Sequence, residues 1–174
     1  MTLILGGTFD PPHNGHVALL EAAKRAFNAV RALVLVVAEP GHRGVHSTAD
    51  ARLALARLAF PDDTVELDEH PRTVDMLRSR QPDDPVLVIG SDELLDFPTW
   101  KESEGVLELA RLAVGARPGF EASNTHERVI AFDMTPVPVS STDIRQRVAA
   151  GEQIDGLVPV AVAVEIERLG LYWD

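Results

Sequence analysis

Cysteine is absent from the 174 residues, which excludes disulfides, thiolate zinc sites, iron–sulfur clusters and cysteine nucleophiles together. Aromatic residues are scarce at 5%, and basic residues number 16 against 27 acidic ones, for a net charge of −11. A nucleic-acid-binding domain neutralises phosphates with a basic stripe, so this acidic, aromatic-poor chain is not expected to bind nucleic acid. A small anionic ligand is compatible with it, because a few arginines gathered in one cleft dominate the local field. No apolar run approaches the ~20 residues of a membrane span, and the opening Met-Thr-Leu-Ile-Leu-Gly-Gly lacks the basic leader of a signal peptide. The expected compartment is the cytoplasm, with no membrane partner.

What is present is one domain's worth of alternating pattern. A chain of this length buries roughly 70% of its unfolded surface and needs no cross-link. Short apolar runs at Thr2–Leu5, Ala32–Val37, Thr64–Leu67, Val86–Ile89, Leu112–Ala116 and Val129–Asp133 read as strands. Between them, helical spacing runs over Gly15–Ala29, Asp50–Phe60, Thr73–Arg80, Glu104–Leu109 and Thr142–Ala150, with Ser47 and Thr48 as capping candidates for the second. Val158–Leu169 is rich in β-branched residues, yet Pro159 near its start and Gly170 at its end favour a helix. Glu39–Thr48 and Glu121–His126 read as loops. Strands alternating with helices predict a parallel sheet covered on both faces: an α/β, Rossmann-like, doubly wound fold in a single domain spanning 1–174.

The most informative string is Gly6-Gly7-Thr8-Phe9-Asp10-Pro11-Pro12-His13-Asn14-Gly15-His16, between the first strand and the first helix. In open α/β sheets, ligands sit outside the carboxyl ends of the strands. Paired glycines admit a phosphate to the backbone, and a helix N-terminus favours negative charge. His13 and His16, three residues apart, can address one anion site. A metal pair is the alternative, but no acidic third ligand sits at a suitable spacing. A second string, Val139-Ser140-Ser141-Thr142-Asp143-Ile144-Arg145, offers hydroxyls, free helix amides and a guanidinium one turn along. Taken alone, it reads more readily as an ordinary capped surface helix with an exposed arginine.

The first string resembles the HxGH signature of the nucleotidyltransferase superfamily in its GGTFDPxHxGH form, similar to the bacterial nicotinate-mononucleotide adenylyltransferases. The second is similar to that family's ISSTxIR motif, with Val139 for Ile. Between them, Pro40-Gly41-His42-Arg43 resembles a PPHK element and Arg72–Leu77 the YTxDTL element, with Arg72 in place of the tyrosine. Ile89-Gly90-Ser91-Asp92 resembles IGxD, Pro98-Thr99-Trp100 carries the ring-stacking tryptophan, and Arg117-Pro118-Gly119 matches an RPG turn. The segment around Glu39–Thr48 is shorter than the family's.

The resemblance implies transfer of AMP from ATP to nicotinate mononucleotide, giving deamido-NAD and pyrophosphate, with Mg²⁺ accompanying ATP. It assigns His13, His16 and Arg145 to catalysis. To ATP it assigns Gly6, Gly7, Thr8, Phe9, Asp10, Gly15, Gly90, Asp92, Ser140, Ser141, Thr142 and Ile144 as well as those three. Arg43, Thr73, Trp100 and Arg117 fall to the mononucleotide, and no residue to a metal. Nicotinamide mononucleotide or pantetheine phosphate as acceptor, and a nucleotide sensor without turnover, are the alternatives. Partners are the small-molecule substrates, and whether the chain forms a homo-oligomer is left open.

Overall fold

The computed structural model describes residues 1–41, 44–116 and 126–173. Six strands, β1 (Thr2–Gly7), β2 (Leu33–Val37), β3 (Thr64–Asp68), β4 (Pro85–Gly90), β5 (Arg111–Ala116) and β6 (Val129–Asp133), form one sheet in the order β3-β2-β1-β4-β5-β6. Every pairing is parallel. This is the doubly wound order of a Rossmann-like sheet, in which the chain reverses its winding between β1 and β4.

Strand residues alternate between two apolar cores because side chains on a strand point to opposite faces. Leu3, Leu5, Val34, Val36, Val86 and Val88 pack beneath α1 (Asn14–Phe27), α2 (Ala49–Ala59), α6 (Ser141–Ala149) and α7 (Val160–Leu169). Ile4, Leu35, Leu87, Ile89, Leu112 and Val114 face α3 (Thr73–Arg80), α4 (Ser91–Asp96) and α5 (Ser103–Leu109). Both faces are thus covered, which is why the strands read as continuous apolar runs.

Local signals place most boundaries. Thr48 caps α2, its hydroxyl accepting the Ala51 N–H at 3.2 Å. Gly170 closes α7 in the left-handed region at φ 62°, where glycine carries no Cβ penalty. Pro159 occupies the N-cap of α7, so that helix starts at Val160, two residues later than the apolar run. Helix α4 and the 3₁₀ turn Phe97–Thr99 were not expected. The six residues of α4 bury only Leu94, too little to leave a periodic stripe in the sequence.

The approach of α1 to β5 depends on Gly115. A Cβ there would collide with Leu19 Cδ1 and come within 2.7 Å of Met134 Sδ. Gly115→Ala is therefore expected to destabilise by about 1–3 kcal/mol through overpacking, lowering Tm by roughly 2–12 °C in thermal melts. An unchanged Tm would mean that α1 can shift at no cost.

Candidate active site

Strand β1 stays paired with β2 up to Gly7↔Val36, but its pairing with β4 ends at Ile4↔Leu87. Beyond that point β1 and β4 diverge, opening a crevice at the carboxyl end of the sheet where the winding reverses. A cavity of about 710 Å³ occupies it, floored by Ile4, Leu35 and Leu87 and bordered by Gly6, Gly7 and Thr8. That volume suits a ligand of nucleotide size.

Above one rim runs the loop from β1 to α1. Phe9 adopts φ 52°, turning its ring inward against Phe60 and His16, with centroids 5.6 and 5.1 Å away. Gly7 makes room for that ring, since a Cβ would lie 2.8 Å from its tip. His13 is the N-cap of α1 and His16 its third residue, and each ring caps the other's backbone. His13 Nδ1 accepts the His16 N–H at 3.4 Å, and His16 Nδ1 accepts the His13 N–H at 3.2 Å. This reciprocal cap stacks the imidazoles 3.6 Å apart. Gly15 permits it, because a Cβ there would sit 3.0 Å from the His13 ring. Burial pushes His13 down to about 4, and burial together with the neighbouring His13 pushes His16 down to about 3. Both rings are neutral at pH 7. With each Nδ1 accepting, the proton resides on Nε2, so each ring keeps one N–H donor.

The second string docks on this loop from far along the chain. Ser141 Oγ donates to the Pro11 carbonyl at 2.8 Å, and Arg145 Nη1 to the Asp10 carbonyl at 2.8 Å. Arg145 Nη2 also donates to Thr142 Oγ1 at 3.1 Å, which steadies the guanidinium beside the two histidines' loop. Ser140 Oγ accepts the Asp143 N–H at 3.1 Å as the α6 cap. The structure thus brings His13, His16, Gly15, Thr142 and Arg145 into one region.

Other residues assigned to ATP by resemblance act from inside. Ile144 is fully buried in the α1-side core, and Phe9 is 2% exposed, so neither side chain reaches a ligand. Asp10 is buried too, its Oδ1 accepting from Tyr172 Oη at 2.7 Å and Ser47 Oγ at 2.6 Å, its Oδ2 from the His46 N–H at 2.7 Å. Burial and the Asp10 carboxylate hold the Tyr172 hydroxyl protonated. Gly90 opens α4, while Asp92 is exposed on its first turn and does not border the cavity. Thr73, at the start of α3, and half-buried Trp100 both line the cavity, Trp100 with its ring 5.3 Å from Phe97. Arg43 and Arg117 lie outside the described residues.

Three features went unread in the sequence. Arg52 is 1% exposed and donates to the Thr8, Val37 and Ala38 carbonyls at 3.0, 2.6 and 2.7 Å, tying the ends of β1 and β2 together. Its place on the α2 stripe with Leu55, Ala56 and Ala59 was the available signal. Tyr172 closes the Asp10 network from the far end of the chain. Asp68 and His70 form a close pair at the cavity edge, with Nδ1 2.6 Å from Oδ1. Nothing in a linear reading separates such a pair from surface residues.

A strand-order reversal, a glycine-rich loop with two neutral imidazoles and a docked Ser-Ser-Thr…Arg helix define a nucleotidyltransferase-type site. The Cytidylyltransferase-like family model matches residues 4–147, and the chain belongs to that family. Within it, the chain is a member of the nicotinate-nucleotide adenylyltransferase group. It is 37% identical to the "Probable nicotinate-nucleotide adenylyltransferase" of Roseiflexus sp. (strain RS-1), over 97% of this chain and 96% of that protein. It is 36% identical to a protein of the same name from Thermus thermophilus, over 97% of each. In fold it is similar to Plasmodium falciparum nicotinic acid mononucleotide adenylyltransferase complexed with NaAD. That match has a TM-score of 0.81 at 15% identity, covering 98% of this chain and 96% of that one.

The buried imidazoles make stability depend on pH. Their folded pKa values lie below 6.5, so as the pH falls below 6.5 the unfolded chain takes up protons that the folded one refuses. Stability should fall from pH 7 to pH 5, with each histidine contributing about 2 kcal/mol of that loss. His16→Gln retains a side chain suited to this cap position but does not titrate, so its urea-measured loss should be smaller than the parent's. Parallel pH profiles for the two proteins would refute the assignment.

Proposed function

We propose that this chain transfers AMP from ATP to nicotinate mononucleotide, releasing pyrophosphate and giving deamido-NAD. The observation that carries the proposal is the docking of Ser141 and Arg145 onto the Pro11 and Asp10 carbonyls. Through it, the two histidines, the α6 N-terminus and a guanidinium converge beside a cavity large enough for a mononucleotide. We take residues 1–174 as one nucleotidyltransferase domain, because Tyr172 bonds back into this loop.

An oxygen of the acceptor's phosphate attacks the α-phosphorus of ATP in line. A new P–O bond forms, the bond to the β-phosphate breaks, and pyrophosphate leaves with the electron pair. Such transfer gains most from positioning and from donors placed where charge develops. His13 and His16 supply fixed Nε2–H donors, Arg145 a planar fork suited to phosphate oxygens, and α6 its first free amides. Gly6, Gly7 and Thr8 let the polyphosphate lie close to the backbone. Gly90 and the exposed Asp92 are assigned to ATP at the start of α4. Thr73 and Trp100 hold the acceptor, the indole offering a face to the pyridine ring, with Arg43 and Arg117 assigned to it by resemblance. Among the described residues no three His, Asp or Glu side chains could hold a metal ion. Mg²⁺ suits such a site because it binds largely through substrate phosphates and water, and when bound it would neutralise polyphosphate charge. Among the described residues no helix is long and apolar enough to cross a membrane, and we assign the chain to the cytoplasm.

Pyrophosphate release with ATP against nicotinate mononucleotide, nicotinamide mononucleotide and pantetheine phosphate in parallel tests this function. Activity should be greatest with the first, and none with any acceptor would overturn it. His16→Ala is expected to lower turnover by about 10²–10³-fold in a folded protein, the usual loss of one preorganised donor. Trp100→Ala should weaken the mononucleotide by roughly 5–150-fold with little effect on ATP, since stacking is worth ~1–3 kcal/mol. Unchanged acceptor affinity, with a steep fall in Tm, would make Trp100 a packing residue only.

A further inference from the structure

The β1–β2 ladder ends at Gly7↔Val36, and both chains then leave the sheet as walls of the cavity. Thr8 leads into the histidine loop, while Val37 leads through Ala38 to Glu39 and Pro40, and Thr8, Val37, Glu39 and Pro40 all border the cavity. The exit of β2 keeps a backbone partner, since the Ala38 N–H donates to the Asp68 carbonyl of β3 at 2.9 Å. The exit of β1 is joined to it by a side chain. Arg52 Nη1 donates to the Thr8 carbonyl at 3.0 Å and to the Val37 carbonyl at 2.6 Å, and Nη2 donates to the Ala38 carbonyl at 2.7 Å. Thr8 and Val37 are the next pair in register past the last ladder residues. Arg52 thus carries the spacing of the two strands one step beyond the sheet.

It does so from the face opposite the cavity. Arg52 lies on α2 with Leu55, Ala56 and Ala59, on the side of the sheet that α1 covers, whereas the cavity floor is Ile4, Leu35 and Leu87. At 1% exposure it touches no substrate. Stability alone accounts poorly for such a residue. Burial disfavours its charge, the Asp10 carboxylate offsets this only in part, and Nε is buried without a hydrogen-bond partner among the described residues. A buried ion often stabilises a fold less than an apolar side chain of similar volume. What a planar fork on three carbonyls does supply is a fixed distance between two chain segments.

In-line transfer depends on that distance, because the attacking oxygen must lie ~3–3.5 Å from the α-phosphorus. We infer that Arg52 is a positioning residue for the transfer. By holding the Thr8 carbonyl to the Val37 and Ala38 carbonyls, it sets the loop assigned to the ATP phosphates against the β2 exit, which leads to Arg43, assigned to the acceptor. The inference rests on the reaction proposed above. Each wall keeps its own contacts without Arg52, so its loss falls on the alignment of the two substrates and not on the binding of either.

Single-turnover rates with both substrates saturating, and Kd for ATP and for nicotinate mononucleotide each measured alone by calorimetry, test it. Arg52→Met keeps an unbranched side chain without donors. Its single-turnover rate should fall about 10–100-fold, with either Kd changed by less than about threefold. Arg52→Lys keeps the charge but not the planar fork, so its rate should lie between those of Arg52→Met and the parent. It carries the test by itself if Arg52→Met does not fold. Rates are taken well below each variant's Tm. A lower Tm with the rate within about threefold of the parent's would leave Arg52 a role in packing only and overturn the inference. So would a rise of more than about tenfold in the Kd of one substrate with the saturated rate kept, which would place its effect on binding. Absence of turnover in the parent refutes the proposed function itself, whatever the Arg52 variants do.

Discussion

The Asp10 carboxylate and its own carbonyl are the constraint on which the site depends. A buried carboxylate is tolerated only when its oxygens are fully hydrogen-bonded, and Asp10 meets that demand from distant parts of the chain. The His46 amide, the Ser47 hydroxyl and the Tyr172 phenol converge on its side chain, while Arg145 takes its carbonyl. The loop before α1, the lead-in to α2, helix α6 and the segment after α7 are thereby fixed against one another. Buried Arg52 adds a second clamp, holding the Thr8 carbonyl of that loop to the end of β2. The loop's conformation, with Phe9 at positive φ, is held from both sides.

That rigidity has a chemical consequence. A net charge of −11 gives the molecule a field that repels polyanions at long range, yet the proposed substrates are polyanions. Screening limits that field to about 8 Å at physiological salt, so local groups decide binding. Among the described residues, the groups gathered at the β1–α1 loop are mainly dipolar: two neutral imidazole N–H donors and the free amides of the α6 N-terminus, with the Arg145 guanidinium beside them. Fixed dipoles need little reorganisation as charge moves from the α-phosphate to the leaving pyrophosphate. The reciprocal cap between His13 and His16 is what fixes them, and Gly15 is what lets the rings stack.

Wherever the code is local, the sequence was legible. All six strands and the helices from α1 to α3 and α5 to α7 follow from apolar spacing and end signals, within a few residues. The Gly6–His16 and Ser140–Arg145 strings stood out as candidates for phosphate binding, because glycine pairs, caps and a following arginine are short-range features. Helix α4 escaped because one buried residue leaves no period to read. Within the strings, chemistry was legible but not division of labour. Phe9 and Asp10 point inward and brace the loop, and Ile144 is buried in the core beneath α6, which no spacing distinguishes from contact with a ligand.

By itself, then, the sequence determined an alternating α/β chain with both sheet faces covered, a cysteine-free acidic domain, and two strings suited to phosphate. Periodicity, capping and composition act over a few residues, and a linear reading captures them. Only the tertiary structure decided that β1 and β4 part beyond Ile4 and Leu87, so that a cavity opens beside Gly6, Gly7 and Thr8. It alone set Arg52 on three carbonyls, Tyr172 on Asp10 and His70 on Asp68. The physical reason is common to these cases. Buried polar groups must find partners across the fold, and which partners they find depends on burial and sheet order, not on distance along the chain.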